Sequence, residues 1–167
     1  KATSDILTGG GSFSADAGGA FNMSNAGASI GTSNGTVDIY ADSADINGTI
    51  TSGSGAIDIT GTGGSVNIGN ALTTTNADIT LTATANVALD TGVADIKTNG
   101  GKYTVNANTD GNNSGNYSQS NAGSSVDTNG GAISITANNF NFSGTHTAGA
   151  TGAMTLLSGE AGRTIGI

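Results

Sequence analysis

His146 is the only histidine in the 167-residue chain, within the stretch FNFSGTHTAGATGAMTL (140–156). An imidazole there offers a metal ligand or a general base. A metal site would need Cys, His or a carboxylate cluster beside it, and the surrounding residues provide none. General-base work would need a nucleophile and an orienting acid, and neither is indicated. A second candidate is a carboxylate pair. Asp38 and Asp58 are the middle residues of VDI (37–39) and IDI (57–59), and retaining glycosidases use two carboxyls about 5–5.5 Å apart. A third is the run NANTDGNNSGN (106–116), where Asn106, Asn108 and Asp110 with a glycine next have the spacing of a calcium loop. It carries one carboxylate, however, and its twelfth position is Tyr117, where a calcium loop needs a bidentate acid.

A repeat decides where these side chains stand. The histidine stretch has a near copy in ADINGTITSGSGAIDI (44–59), with Ile50 in the histidine's place. Apolar anchors seven residues apart recur along the chain: Ile6 and Phe13, Ile30 and Val37, Ile50 and Ile57, Leu72 and Ile79, Ile96 and Tyr103, Val126 and Ile133. The residues between them, as in IGTSNGTV or VDTNGGAI, read as strand end, turn and strand start, with Gly or Asn where positive φ is cheapest. Each second anchor opens a period-2 pair such as Val37 and Ile39 or Ile133 and Ile135, the strand signature. Further on a second pair follows: Phe21 and Met23, Ala44 and Ile46, Val66 and Ile68, Val87 and Leu89, Phe140 and Phe142.

Three short strands per unit, with units starting at 6, 30, 50, 72, 96, 126 and 146, predict an all-β, right-handed parallel β-helix. Its roughly seven coils are mostly 20–24 residues long. Each strand pairs with its counterpart one coil away, so equivalent positions become columns, and seven coils span roughly 33 Å at that spacing. Right-handed crossover is the default for parallel strands. The whole chain, 1–167, reads as a single β-helical segment of a longer protein. FNMSNAGASI (21–30) and YSQSNAGSSV (117–126) share an inserted SNAG, and 106–116 is expected to leave the rod as a polar loop.

The columns settle the chemistry. His146 falls in the column of Ile6, Ile30, Ile50, Leu72, Ile96 and Val126, a rung position, where a backbone carbonyl is the expected partner. Asp38 and Asp58 fall in the outward column Ser14, Asp38, Asp58, Thr80, Thr104, Ser134 and Thr155, a solvated face with nothing apolar nearby to raise one acid. The column Thr8, Thr32, Ser52, Thr74, Thr98, Thr128 and Ala148 points inward or into a corner, with hydroxyls expected to bond along the ladder. Stacked threonines raise ice binding, which would want two parallel outward threonine columns. The neighbours of this column, Leu7, Gly31, Thr51, Thr73, Lys97, Asp127 and Thr147, are too mixed for that. N-x-[ST] triplets at Asn22, Asn34, Asn47, Asn112, Asn116 and Asn141 are what chance supplies in so Asn- and Ser-rich a chain.

Composition narrows the partners. Twelve acids against four bases (Lys1, Lys97, Lys102 and Arg163) give a net charge of −8 with no basic stripe. That argues against nucleic acid and anionic membrane surfaces. No apolar run is long enough for membrane insertion. The absence of cysteine excludes disulfides and thiolate chemistry. The start, KATSDILTGGG, does not have the form of a signal peptide. No catalytic residue, cofactor or metal is assigned. The candidate interaction residues are Asn108, Asp110, Asn112, Asn113 and Asn116 of the loop.

At GAIDITGTGGSVNIGN and GGAISITANNFNFSGT the chain resembles the repeat region of large bacterial exoproteins, the filamentous haemagglutinin-like adhesins of two-partner secretion. The resemblance extends over essentially the whole chain and rests on repeat style. It implies an extracellular fibre at the cell surface or in the biofilm matrix, mediating attachment or aggregation. The partners implied are an extracellular glycan or a neighbouring cell surface, with end-to-end self-association through uncapped strand edges. The alternatives are a polysaccharide lyase or glycosidase, for which acids with Arg or Lys are poorly provided, and a glycan-binding module with Tyr40 as its clearest outward aromatic.

Overall fold

The computed structural model describes residues 4–90, 92–112, 114–160 and 165. Among these every regular element is a β-strand, and every pairing between strands is parallel. The strands stack as the walls of a parallel β-helix of about seven coils. The first wall consists of Asp5–Leu7, Ser29–Gly31, Thr49–Gly53, Leu72–Thr74, Asp95–Lys97, Ser125–Asp127 and Thr145–Thr147. The second runs from residues 13–17 and 37–41 through Ile57–Gly61, Ile79–Ala83, Tyr103–Asn106 and Ile133–Ala137 to Met154–Ser158. The third holds residues 20–23 and 43–46, then Val66–Ile68, Val87–Ala88, Asn116–Gln119 and Asn139–Phe142.

Register follows the aliphatic anchors. On the first wall Ile6, Ile30, Ile50, Leu72, Ile96, Val126 and His146 are successive partners. On the second, Phe13, Val37, Ile57, Ile79, Tyr103, Ile133 and Met154 are. Alternation points these residues into one continuous interior, where Val37, Ile57, Ile79, Tyr103 and Ile133 are fully buried. Each such side chain contributes roughly 1.5–3 kcal/mol of burial, available only when a neighbouring coil covers it. The end rungs of the described stack are more open: Ile6 is 45% exposed and Met154 42%.

Two features differ from expectation. In the first two coils the second and third strands are continuous, Phe13–Met23 and Val37–Ile46, instead of separate. The bend there is absorbed within the strand, by a register shift between Ala17 and Ala20. The inward hydroxyls also bond differently. Thr32, Ser52, Thr74, Thr98 and Thr128 are fully buried. Each donates chiefly to a carbonyl three residues ahead, at Gly35, Gly55, Ala77, Gly101 and Gly131 respectively. The contacts to the next coil are longer, 3.3–3.5 Å for Thr32, Thr74, Thr98 and Thr128. The hydroxyl therefore latches its own corner first. The receiving residue is mostly glycine because a Cβ there meets the coil before: at Gly131 it falls on the Gly101 carbonyl, and at Gly101 on that of Ala77.

Candidate functional site

His146 is placed by the first wall and closed in by the third. Tyr117, fully buried at the centre of Asn116–Gln119, brings its hydroxyl to 2.8 Å from His146 Nε2. Phe142 meets the imidazole edge-on with centroids 4.9 Å apart, and the Tyr117 ring does so at 5.7 Å. Burial among these groups lowers the imidazole from 6.5 to about 4, so the ring is neutral at physiological pH. The partner is a phenol, not the backbone carbonyl expected from sequence. Tyr103 sets its hydroxyl beside that of Tyr117 without reaching hydrogen-bond geometry. Burial pushes both phenols up. Among the described residues no carboxylate bonds the imidazole to orient it, so the group bridges two walls through an interior whose other polar member on this strand is the buried Gln119.

The loop predicted at 106–116 divides into two parts. Residues 109–112 and 114 are exposed. Asp110 takes the Asn112 N–H at 3.3 Å and its side-chain Nδ2 at 2.7 Å, and Asn112 Oδ1 in turn accepts the Ser114 N–H at 3.1 Å. These are turns built from Asn and Asp side chains, which tie the loop to itself. The roots belong to the rod. Asn108 is only 5% exposed; its N–H donates to the Ala85 carbonyl and its Nδ2 to Asn138 Oδ1. Asn116 donates its N–H to Asn86 Oδ1 at 3.0 Å, and its own Oδ1 accepts from Asn139 Nδ2 at 2.7 Å. Of the five candidate residues, then, Asp110 and Asn112 face solvent together, while Asn108 and Asn116 stitch coils. Asn113 lies outside the described residues.

Asp38 and Asp58 are direct partners on the second wall. Burial raises the Asp58 carboxyl; a hydrogen bond from Thr80 opposes this, and the charges of Asp38 and Asp78 add to it. Both residues stand on an exposed face, as expected, and at Asp58 contact with the wall raises the carboxyl. Tyr40, on the same wall, is 51% exposed. Near the His146 cluster, burial pulls Asp90 upward, but bonds from Ser118 Oγ at 2.6 Å and the Ser120 N–H at 2.5 Å outweigh it and hold the acid low. Among the described residues no three His, Asp or Glu side chains converge as a metal-binding group.

Sequence reasoning missed Tyr117 as a core group, together with the Asn86–Asn116–Asn139 column. A signal was present. NYSQ (116–119) has the period-2 form of a third strand and stands directly before the SNAG insert, as FNM does in the first coil. Both inserts fold alike, with Asn25 Oδ1 accepting from the Gly27 N–H and Asn121 Oδ1 from the Gly123 N–H.

Fold and site together define the class, a parallel β-solenoid with a polar loop at one coil. In comparisons with family models, with curated proteins and with solved structures, none matches this chain.

Proposed function

We propose that the chain is a shaft and adhesive segment of a bacterial extracellular fibre, at the cell surface or in a biofilm matrix. The observation that carries this is the unbroken register of the first-wall column from Ile6 to His146. Every coil contributes a rung, and the one histidine serves as a rung too. Such a stack yields length and stiffness, and its surface presents loops at fixed heights. The exposed pair Asp110 and Asn112 is the contact we assign to an extracellular glycan or a neighbouring cell surface. Strand edges at the two ends suit end-to-end association into filaments.

The test is attachment by beads coated with the 167-residue chain, to cells and to glycan arrays. Replacing Asp110 and Asn112 with Ala should weaken attachment while leaving thermal unfolding unchanged. Attachment that survives the double substitution would remove the loop from the proposal, and no attachment to any surface would remove adhesion. The stacked acids Asp38 and Asp58, one of them raised, support a second reading as a polysaccharide-active enzyme. Depolymerisation of neutral or acidic glycans that is lost in Asp58→Asn would establish that reading in place of the first.

A further inference from the structure

The second wall presents two outward columns side by side. One is Asp38, Asp58, Thr80, Thr104, Ser134 and Thr155; the other, two residues along each strand, is Tyr40, Thr60, Thr82, Asn106, Thr136 and Leu157. In three consecutive coils the paired positions are Thr80 with Thr82, Thr104 with Asn106, and Ser134 with Thr136. They form a patch of small neutral hydrogen-bonding groups, bounded along the rod by Asp58 and Leu157 and flanked at the strand starts by the exposed Asp78 and Lys102. The patch repeats in two directions, about 4.8 Å from coil to coil and about 6.6 Å along each strand.

Three properties bear on what such a patch fits. Its hydroxyls are uncommitted: those of Thr82, Thr104, Ser134 and Thr136 make no hydrogen bond to any described residue, whereas Thr80 bonds Asp58. The buried hydroxyls of Thr98 and Thr128 are, by contrast, engaged in corner latches. The patch is also pre-organised. β-Branched side chains are stiff at χ1, and the parallel ladders of the wall fix their backbones, so little freedom is lost on contact. Finally, the three rows carry neither charge nor aromatic ring. A charged group holds its own hydration shell, and a sugar-binding face relies on aromatic stacking; the outward aromatic of this wall, Tyr40, is two coils from Thr82.

A surface that repeats in two directions matches the repeat of a crystal face. We propose that this wall binds ice. The hydroxyls and the Asn106 amide engage an ordered layer of water at lattice-like intervals, and the threonine methyls fill the gaps between them. First-shell waters bridging such groups are nearly as favourable as direct hydrogen bonds. This goes beyond the shaft reading and does not depend on it. The two outward columns of the patch carry small polar groups of mixed type, with Thr80 and Thr82 the one all-threonine row, and they lie on a wall other than that of the inward threonines.

The test is thermal hysteresis and inhibition of ice recrystallisation by the 167-residue chain, with Thr104→Lys, Thr136→Lys and, on the first wall, Thr51→Lys. The expected result is activity in the native chain and in Thr51→Lys, and its loss in Thr104→Lys and Thr136→Lys with unchanged circular dichroism and melting. Should a lysine variant unfold, Thr104→Ser, which keeps the hydroxyl and removes the methyl, is expected to reduce activity while remaining folded. No activity in the native chain would overturn the proposal. So would activity that survives the second-wall substitutions, or binding of this wall to crystalline cellulose or chitin without any effect on ice.

Discussion

The Tyr117 hydroxyl and His146 Nε2 share a 2.8 Å hydrogen bond across the interior of the rod, joining its third wall to its first. In the coil before, the position of His146 is filled by Val126, and in the coil before that by Ile96. The bond is therefore a local polar substitute for an aliphatic contact, and it brings a titratable group into the stack.

That group makes the C-terminal coils sensitive to acid. Unfolded, the imidazole takes up a proton near 6.5; folded, it does so only near 4, because burial disfavours the charged form. Between those values the unfolded chain binds more protons, so stability is undiminished above about 6.5 and is lost progressively as pH falls toward 4. With the ring only partly buried, the loss should be on the order of 1–2 kcal/mol. Melting curves of the native chain and of His146→Phe from neutral pH downward should differ in slope over this window. Identical slopes would show that the histidine is not the source.

The interior should not tolerate charge. Ile57 is fully buried between Val37 and Ile79. Ile57→Ala should cost about 2–5 kcal/mol. Ile57→Asp should abolish cooperative unfolding, because a lone carboxylate there has no partner. Tyr40→Ala on the outer face should change stability by less than about 0.5 kcal/mol. Urea denaturation of the three variants ranks them, and a native-like midpoint for Ile57→Asp would contradict the assigned register.

The corner latches should be measurable one at a time. Thr98→Val keeps the shape but removes the donor to the Gly101 carbonyl, and should cost about 1–2 kcal/mol. Thr98→Ser should recover most of it. Equal midpoints for the Val and Ser variants would show that only volume matters at this position.

Glycines divide by what stands opposite them. At Gly131 a Cβ falls on the Gly101 backbone, whereas at Gly18 nothing lies within 4 Å. Gly131→Ala should destabilise by about 1–3 kcal/mol through overpacking. Gly18→Ala should be neutral or stabilising by up to about 1 kcal/mol, since it restricts the unfolded chain. Thermal melts of the two variants moving in the same direction and by the same amount would break this distinction.

The periodic part of the fold was legible in the sequence because its signal is chemical as well as spatial. Anchors seven residues apart with T-x-x-G between them specify a corner, and the first-wall column from Ile6 to His146 follows residue by residue. The coil starting at 96 was harder to read. Its inserted loop separates Val105 from Tyr117, and the third-strand pair there is Tyr117 and Gln119, of which the polar Gln119 does not look like a rung beside Leu89 or Phe142. Asn108 read as exposed for a related reason. Its type suits a turn, and its positive φ of 66° agrees, but in the fold it is buried, bonded to the Ala85 carbonyl and to the Asn138 side chain. Which wall a hydroxyl column faced also hinged on corner geometry, which a period alone does not encode.

Each latch spans only three residues, so a coil can complete its own bend before its neighbour arrives. A pull applied along the chain would meet these bends in succession. Extension should then advance as a train of separate yields, each paying out about one coil of chain, with the longest step where the loop-bearing coil between Ile96 and Val126 lets go.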